Sequence, residues 1–382
     1  MAGPCQTVAG PVLSAPDPLQ SAPTPWQRLP RRTLTIALSV LPLVALANVA
    51  VLVWSLGGID LAGRLVAPGL LPVAGLVAFV PMLANSLRIA LWSRFLGLGL
   101  GFREGLKVVT GTMVTDSITP SAAGGVPIKV LFLIGEGVPA RRAATLISFQ
   151  TAEDAVVLSS LAALCLGFSG FQLVDFIARQ PDLVARIEAD LASIGLILLG
   201  VSALIAGFGG ALAAGLLGET LRARAAGLVR RGRGFAGHVV RDWLKVMRRG
   251  KGIALANLAL ALAQWLARFS IAGLVLAAFG QAWHPALYWL LQYLVQSISS
   301  VVPTPGGAGG AEAGFLLLFA PFVAASVLVA AMSTWRLIFF YLPLAGAALV
   351  FFLLQRTARL RAAAPDPLAA DSAAPVAPQP AE

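Results

Sequence analysis

Long apolar runs recur along most of this chain, and they restrict its fold more than any other feature. Each run is close to or above the roughly 20 residues that an α-helix needs to cross a bilayer. The first run, from Thr33 to Leu56, contains no charged residue. Only 12% of all residues are charged, whereas soluble globular proteins average about 25%. The sequence therefore predicts an all-α integral membrane protein without a soluble catalytic domain.

Six of the apolar runs are predicted to be full membrane spans. The first is interpreted as a retained span, because no A-x-A-like cleavage site follows it and its leading segment is long for a signal peptide. The predicted spans lie at about 33–56, 69–92, 139–168, 191–217, 252–279 and 321–355. Two further apolar segments, at about 105–135 and 286–319, are interrupted by Pro and Gly. Such breaks are tolerated at membrane depth only where protein or a water-filled cavity covers the freed backbone.

The two interrupted segments share a sequence motif. Residues Thr119–Gly125 read T-P-S-A-A-G-G, and residues Thr304–Gly310, 185 positions later, read T-P-G-G-A-G-G. Both fit T-P-x-x-A-G-G, and each follows the preceding span by a similar distance. We therefore predict an internal repeat of span, span, re-entrant hairpin and span, with the second half inverted. Broken helices that meet near the midplane of an inverted repeat are common in transporters.

The distribution of basic residues predicts the topology. The net charge is +11, but the charges lie between apolar runs, as on a cytoplasmic loop, and do not indicate nucleic-acid binding. Ten of them form one stretch: Arg222, Arg224, Arg230, Arg231, Arg233, Arg241, Lys245, Arg248, Arg249 and Lys251. Contact with anionic headgroups explains this stretch, and binding of a specific phospholipid or phosphorylated substrate is the alternative. We predict a multi-pass membrane protein with both termini cytoplasmic.

These patterns divide the chain into five segments. The predicted segments are a disordered cytoplasmic tail at 1–32, a first membrane repeat at 33–168, an extracytoplasmic loop at 169–190, a second membrane repeat at 191–356 containing the cytoplasmic basic loop 218–251, and a disordered cytoplasmic tail at 357–382. The chain has two cysteines and two histidines, which predicts no disulfide framework, metal site or catalytic cluster. No nucleotide-binding motif is present, so no cofactor is expected.

The candidate substrate-binding residues are the ionisable residues inside spans and the residues of the two Gly-rich breaks. They are Arg268, Thr119, Pro120, Gly124, Gly125, Lys129, Thr304, Pro305, Gly306, Gly307, Gly309, Gly310, Glu312, Glu153, Asp154 and Arg336. Intramembrane charges are costly and usually face a cavity. Glycine lets backbone N–H groups approach an anion at a half-helix start, and nearby arginines favour phosphate.

Structural alternatives are open for several of these residues. Arg268 has the alternative of an internal ion pair with Glu153 or Asp154, and for Arg336 a structural pairing with Asp154 is as compatible with the sequence as a functional role. Arg88 is close enough to a membrane boundary to snorkel to the headgroups. The glycines have the alternative of serving only the close packing of two hairpins.

Several of these motifs together resemble one protein family. They are the first T-P-x-x-A-G-G break with Lys129, the stretch from Arg141 and Arg142 to Asp154, the P-T-P-G-G-A-G-G-A-E run ending at Glu312, and Arg336 with Pro343 and Gly346. The chain resembles the lysylphosphatidylglycerol synthase transmembrane-region family, also called the flippase-like domain family, over most of residues 33–356. Synthase members carry an aminoacyltransferase domain after the membrane region, and the present chain ends soon after Arg361. The resemblance implies lipid transport or handling, with a hopanoid-associated branch among the options.

Three functions are therefore weighed. The leading hypothesis is a flippase-like protein that moves a phosphate-bearing lipid: a phospholipid, a polyprenyl-phosphate glycolipid or a hopanoid-pathway lipid. The first alternative is a non-catalytic accessory protein of such a pathway. The second is an intramembrane lipid-linked glycosyltransferase using Glu153 and Asp154. The expected partners are membrane lipid and cell-envelope pathway enzymes, no nucleic acid is expected, and homo-oligomerisation is left open.

Overall fold

The computed structural model shows a helical protein in the part of the chain that it describes. The described residues are 65–117, 125–178, 199, 234, 237, 239–246, 248–302, 304 and 306–363. Their helices are α1 (Leu70–Val77), α2 (Val80–Leu96), α3 (Phe102–Asp116), α4 (Gly125–Gly135), α5 (Ala140–Ala178), α6 (Lys251–Ala278), α7 (Pro285–Val301), α8 (Gly310–Phe319), α9 (Ala325–Arg336) and α10 (Leu342–Ala363), with a π-helical turn at Leu337–Tyr341. The predicted all-α membrane class is confirmed.

Four helical stretches in the described residues are long and apolar enough to cross a membrane. They are span A (Leu70–Leu96), span B (Ala140–Ser169), span C (Lys251–Ala278) and span D (Ala325–Thr357). Each one begins and ends within about four residues of a predicted span. The predicted span at 33–56 lies outside the described residues, as does the one at 191–217 apart from residue 199.

Two pairs of shorter helices stand between these spans. The first helix pair is α3 with α4, between spans A and B, and the second helix pair is α7 with α8, between spans C and D; the two helices of each pair pack together. With 15 and 11 residues, α3 and α4 are about 22 and 16 Å long at 1.5 Å per residue. Both are shorter than the roughly 30 Å hydrocarbon core of a bilayer.

Local sequence explains where the helices of these pairs begin. The Glu104 carboxylate accepts a 2.9 Å hydrogen bond from the Gly101 N–H at the start of α3. Glu312 repeats the arrangement at α8, where its carboxylate accepts a 2.7 Å hydrogen bond from the Gly309 N–H. In both, the glutamate side chain alone satisfies an otherwise unpaired backbone donor, because the glycine at the N-cap has no side chain to return a hydrogen bond. An acidic side chain three residues after the glycine therefore starts a helix at both places.

The apolar core has two main parts. One is built from spans C and D with the second helix pair, and the other from spans A and B with the first helix pair. Aromatic stacking dominates the former, with ring centroids of Phe315 and Trp335 4.9 Å apart and those of Trp335 and Phe339 5.0 Å apart. Spans A and C pack directly against each other between the two parts. Polar residues on these two spans therefore meet near the centre of the molecule.

Candidate functional site

A cavity of about 240 Å³ lies where spans A, C and D meet the two helix pairs. The end of α3 contributes Asp116 and Ser117 to its wall, and the turn before α8 contributes Gly306 and Gly307. The other polar lining residues are Arg268, Gln296, Ser299, Ser300 and Arg336. Both helix pairs thus reach the same cavity, and two arginines face it.

Arg268 projects from the middle of span C into this cavity. Its Nη2 donates a 3.2 Å hydrogen bond to Gln296 Oε1, and its Cζ lies 4.6 Å from the centroid of the Phe339 ring. The Nε atom is buried without a hydrogen-bond partner among the described residues. No carboxylate of the described chain forms an ion pair with Arg268. Arg268 therefore lines the cavity as a cation that no described carboxylate neutralises, since a cation–π contact supplies only part of a counter-ion's stabilisation.

Arg336 faces the same cavity, but its charge is neutralised within the protein. Its Nε lies 2.8 Å from Glu312 Oε1, and its Nη2 donates a 2.8 Å hydrogen bond to the Gly306 carbonyl. The guanidinium also lies 4.4 Å over the Phe340 ring. Because Glu312 caps α8 as well, this one ion pair fixes the Gly-rich turn of the second helix pair to span D.

The glycines of that turn adopt backbone conformations that other residues avoid. Gly306, Gly307 and Gly309 have φ values of 61°, 65° and 83°, in the left-handed region where a Cβ is disfavoured. A Cβ at Gly307 would also collide with the Ser299 hydroxyl, and one at Gly306 with the Phe340 ring. The Gly-rich sequence is therefore required by both conformation and close approach at the cavity wall.

A second polar network is centred on Arg88 of span A, whose side chain is 0% exposed. Its Nη1 lies 2.8 Å from Asp154 Oδ1, and its Nη2 lies 2.9 Å from Glu153 Oε2. The same guanidinium donates to the Gln150 carbonyl at 3.0 Å and to Gln264 Oε1 at 3.3 Å. This arginine is therefore held by two carboxylates and two neutral acceptors.

Two indole N–H groups complete the network around the carboxylates. Trp92 donates to Glu153 Oε1 at 3.0 Å, and Trp265 donates to Asp154 Oδ1 at 3.0 Å. Arg88 contributes a buried cation to each carboxylate. Buried charges are tolerated when they are paired and hydrogen-bonded in this way, so the arrangement ties spans A, B and C together.

Lys129 connects the first helix pair to this part of the molecule. Its Nζ donates 2.8 Å hydrogen bonds to Asn85 Oδ1 and to Gln150 Oε1, joining α4 to spans A and B. The Asp116 carboxylate, at the end of α3, lies close enough for an electrostatic interaction with Lys129. The negative charge that Asp116 brings to the cavity wall is therefore partly balanced by a cation behind it.

Comparison with known proteins assigns the chain to a family. The model of the family "Lysylphosphatidylglycerol synthase TM region" matches residues 34–347. The chain belongs to this family. It is also similar to a UPF0104 membrane protein of Archaeoglobus fulgidus, with 27% identity over 282 residues, covering 71% of the present chain and 82% of the relative. The family resemblance inferred from the motifs is confirmed.

The structure separates the predicted site residues of this family member into groups. Arg268, Gly306, Gly307 and Arg336 line the cavity. The others in the second helix pair support its turn, and there Thr304 Oγ1 donates a 2.7 Å hydrogen bond to the Ala308 carbonyl. The predicted residues of this supporting group are Thr304, Gly309, Gly310 and Glu312.

The remaining predicted residues lie in the first half of the chain. Glu153 and Asp154 belong to the Arg88 network, Lys129 adjoins it through Gln150, and Gly125 begins α4. Four predicted residues lie outside the described part of the chain: Thr119, Pro120, Gly124 and Pro305. Of the first T-P-x-x-A-G-G motif, only the last glycine, Gly125, therefore belongs to the described residues, and it does not line the cavity.

Arg88 and five polar cavity residues depart from the sequence-based prediction. The interpretation of Arg88 as a snorkelling boundary residue is wrong, because its side chain is fully buried and ion-paired. The alternative ion pairs of Arg268 with Glu153 or Asp154 and of Arg336 with Asp154 are also wrong, since Arg88 takes both carboxylates and Arg336 pairs with Glu312.

The cavity residues that were not predicted lie two to eight positions before one of the two T-P motifs, near the end of the preceding helix. They are Asp116, Ser117, Gln296, Ser299 and Ser300.

The described residues offer no cluster of three or more His, Cys, Asp or Glu side chains that could hold a metal ion. The chemistry that the cavity does offer is recognition of an anion. Arg268 supplies charge and N–H donors, and Ser299, Ser300 and Gln296 supply neutral polar groups. This combination of a guanidinium with hydroxyl and amide groups is suited to phosphate oxygens.

Proposed function

We propose that this protein translocates a phosphate-bearing lipid between the leaflets of the bacterial inner membrane during cell-envelope biogenesis. The candidate lipids are a phospholipid, a polyprenyl-phosphate glycolipid and a hopanoid-pathway lipid. The observation that carries the proposal is the cavity between the two helix pairs, into which Arg268 projects without an internal counter-ion. Membership of a family named for lysylphosphatidylglycerol synthase supports a lipid-related role.

The arrangement of elements supports an inverted-repeat transporter architecture. Each half of the described chain presents a span, a pair of short helices and another span, with the T-P-x-x-A-G-G motif at the break of each pair. We interpret the helix pairs as re-entrant hairpins that enter from opposite membrane faces, with both termini cytoplasmic. Ligand sites at the meeting point of broken helices are a recurring design in such proteins.

In this mechanism the headgroup crosses between the helix pairs while the acyl chains stay in lipid. The phosphate would pair with Arg268 and accept hydrogen bonds from Ser299 and from backbone N–H groups near Gly307. These groups replace water around a charge that is otherwise costly to bring into hydrocarbon. The ion pair of Arg336 with Glu312 would hold the Gly-rich turn in the shape that presents these donors.

No particular contact favours either alternative function. In a glycosyltransferase, Glu153 or Asp154 would have to act as the acidic base, yet both carboxylates accept contacts from Arg88 and from an indole N–H. In an accessory protein, partner enzymes of the envelope pathway would be the functional contacts. The accessory role predicts no lipid movement by the pure protein, so a transport assay separates it from the proposal.

The test is transbilayer movement of fluorescently labelled lipids in proteoliposomes. Phospholipid and polyprenyl-phosphate probes are assayed side by side with wild type, Arg268→Ala and protein-free vesicles. We expect wild type to accelerate at least one probe and Arg268→Ala to lose most of that acceleration. Equal rates in wild-type and protein-free vesicles, from protein with an intact helical spectrum and monodisperse elution, would refute the translocase.

A further inference from the structure

In each half of the described chain, an arginine of the first span contacts one place in the second span, although the two arginines are 180 positions apart and so differ by five from the register of the T-P motifs. Arg88 is the nineteenth residue of span A, and Arg268 is the eighteenth of span C. Arg88 pairs with Asp154, the fifteenth residue of span B. The fifteenth residue of span D is Phe339, and its ring is what the Arg268 guanidinium contacts. Asp154 and Phe339 are 185 positions apart, the same separation as the two T-P motifs.

The two arginines therefore meet residues of different charge: Arg88 is paired with carboxylates, and Arg268 is not. In the first half, the neighbouring residue Glu153 adds a second carboxylate, so Arg88 is surrounded by acceptors. In the second half, Ile338 and Phe339 stand at these places, and neither can neutralise an arginine. A guanidinium on an aromatic face stays charged and can bind an anion on its other side.

We propose that the monoanionic phosphodiester of a lipid headgroup is the counter-ion of Arg268. The protein supplies no carboxylate for this arginine, because Phe339 occupies the place where one would pair with it. This inference rests on the proposed function and names the charge class of its substrate. Phe339 is a specificity-determining residue: it orients the guanidinium through its ring and withholds the carboxylate that the matching residue, Asp154, gives to Arg88.

The charges around the cavity select a singly charged ligand. Arg336 is neutralised by Glu312, which leaves Arg268 as the cavity cation without a carboxylate among the described residues. Asp116 also lines the wall and would repel a second negative charge, although Lys129 balances it in part. Like charges within a few ångströms repel strongly in a partly desolvated site. A cavity of about 240 Å³ also fits one small headgroup better than a pyrophosphate with sugars.

The experiment compares two isosteric substitutions that differ by one charge. Phe339→Asp restores the internal carboxylate, and Phe339→Asn introduces an amide of the same size. Binding of dihexanoyl phosphatidylglycerol, dihexanoyl phosphatidate and inorganic phosphate is measured by calorimetry in detergent, with wild type and Arg268→Gln alongside. We expect Phe339→Asp to bind phosphatidylglycerol about tenfold or more weaker than Phe339→Asn, since an intramolecular carboxylate competes for the guanidinium.

Two further comparisons test the ligand class. In wild type, phosphatidylglycerol is expected to bind more tightly than doubly charged phosphatidate or free phosphate. The double variant Phe339→Asp with Arg268→Gln should bind more weakly than either single variant, because its carboxylate then has no cation to pair with and repels the anion, whereas the two single variants each remove one free charge and should bind about equally. If Phe339→Asp does not fold, Ile338→Glu against Ile338→Gln repeats the comparison at the position matching Glu153.

Equal affinity of the Asp and Asn variants would overturn the inference, as would tighter binding of phosphatidate or free phosphate. The assay needs no transport, so the two proposals can fail separately. A charge-dependent loss of binding without lipid movement in vesicles would refute the translocase alone. Lipid movement that is equally fast in Phe339→Asp and Phe339→Asn would refute the counter-ion inference alone.

Discussion

Replacing Arg88 with methionine should destabilise the protein far more than replacing Arg268 in the same way. Both arginines lie near the middle of a span, and methionine approximates the length of each side chain. Arg88 is the cation shared by Glu153 and Asp154, at 2.9 and 2.8 Å. Its removal leaves two carboxylates in the interior, with 9% and 27% side-chain exposure. Removal of Arg268 leaves no carboxylate behind.

The size of the difference follows from these contacts. Removing one member of a buried ion pair typically costs about 3–5 kcal/mol, because the other charge stays uncompensated. The partial exposure of Asp154 favours the lower end, about 3 kcal/mol. Arg268 loses one hydrogen bond to Gln296 and one contact with Phe339, together about 1–2 kcal/mol. Its replacement also removes the desolvation cost of a buried cation without a carboxylate partner, which offsets part of that loss. We therefore expect Arg88→Met to cost about 2 kcal/mol more than Arg268→Met.

The assay is reversible unfolding in mixed detergent micelles, followed by the loss of helical circular dichroism. A rescue variant combines Arg88→Met with Glu153→Gln and Asp154→Asn, which removes the orphaned charges and should recover part of the lost stability. Equal destabilisation by Arg88→Met and Arg268→Met would refute the distinction between a structural and a ligand-binding arginine. Absence of any rescue would show that burial of the carboxylates is not the source of the loss.

The remaining predictions concern the two helix pairs. Gly307→Ala should destabilise more than Gly309→Ala, because a Cβ at Gly307 collides with Ser299 while one at Gly309 meets nothing within 4 Å. Gly309→Ala should cost only the backbone strain of its positive φ, about 1–3 kcal/mol. Similar unfolding midpoints for the two variants would contradict this. Lys129→Met should lower the free energy of unfolding by about 1–3 kcal/mol, because two charge-assisted hydrogen bonds are lost, one of them to Asn85. It should also speed amide hydrogen exchange in α4. Unchanged exchange there would show that Lys129 does not anchor this helix.

The sequence predicted the elements that depend on local pattern. Span length and apolar composition placed spans A to D within a few residues. The pattern is reliable because a chain that crosses a bilayer must satisfy its backbone hydrogen bonds internally, as an α-helix does. The T-P-x-x-A-G-G motif predicted both helix breaks, because proline lacks an N–H donor and a cluster of glycines favours non-helical backbone. Single glycines such as Gly111 stay inside helices. The second break proved to be a wall of the cavity, with Gly306 and Gly307 in its lining.

Pairing between distant residues was beyond what the pattern could predict. Arg88, Arg268, Glu153 and Asp154 all read as intramembrane charges, and sequence spacing cannot tell which arginine meets the carboxylates. The choice is made by the packing of spans A, B and C, which brings residues 65 and 66 positions apart within 3 Å of each other. The neutral cavity residues, such as Gln296, carry no sequence signal that distinguishes them from other polar residues of a membrane helix.

The most direct test of the account is the rate of phospholipid movement in proteoliposomes containing Phe339→Asp or Phe339→Asn. If lipid crosses because Arg268 lacks an internal counter-ion, Phe339→Asn should still move lipid faster than protein-free vesicles do, although at a lower rate than wild type because the ring that orients Arg268 is lost. Phe339→Asp should fall to the rate of protein-free vesicles. Equal movement in the two variants, both folded and reconstituted to the same density, would contradict the claim that the free charge of Arg268 carries the headgroup.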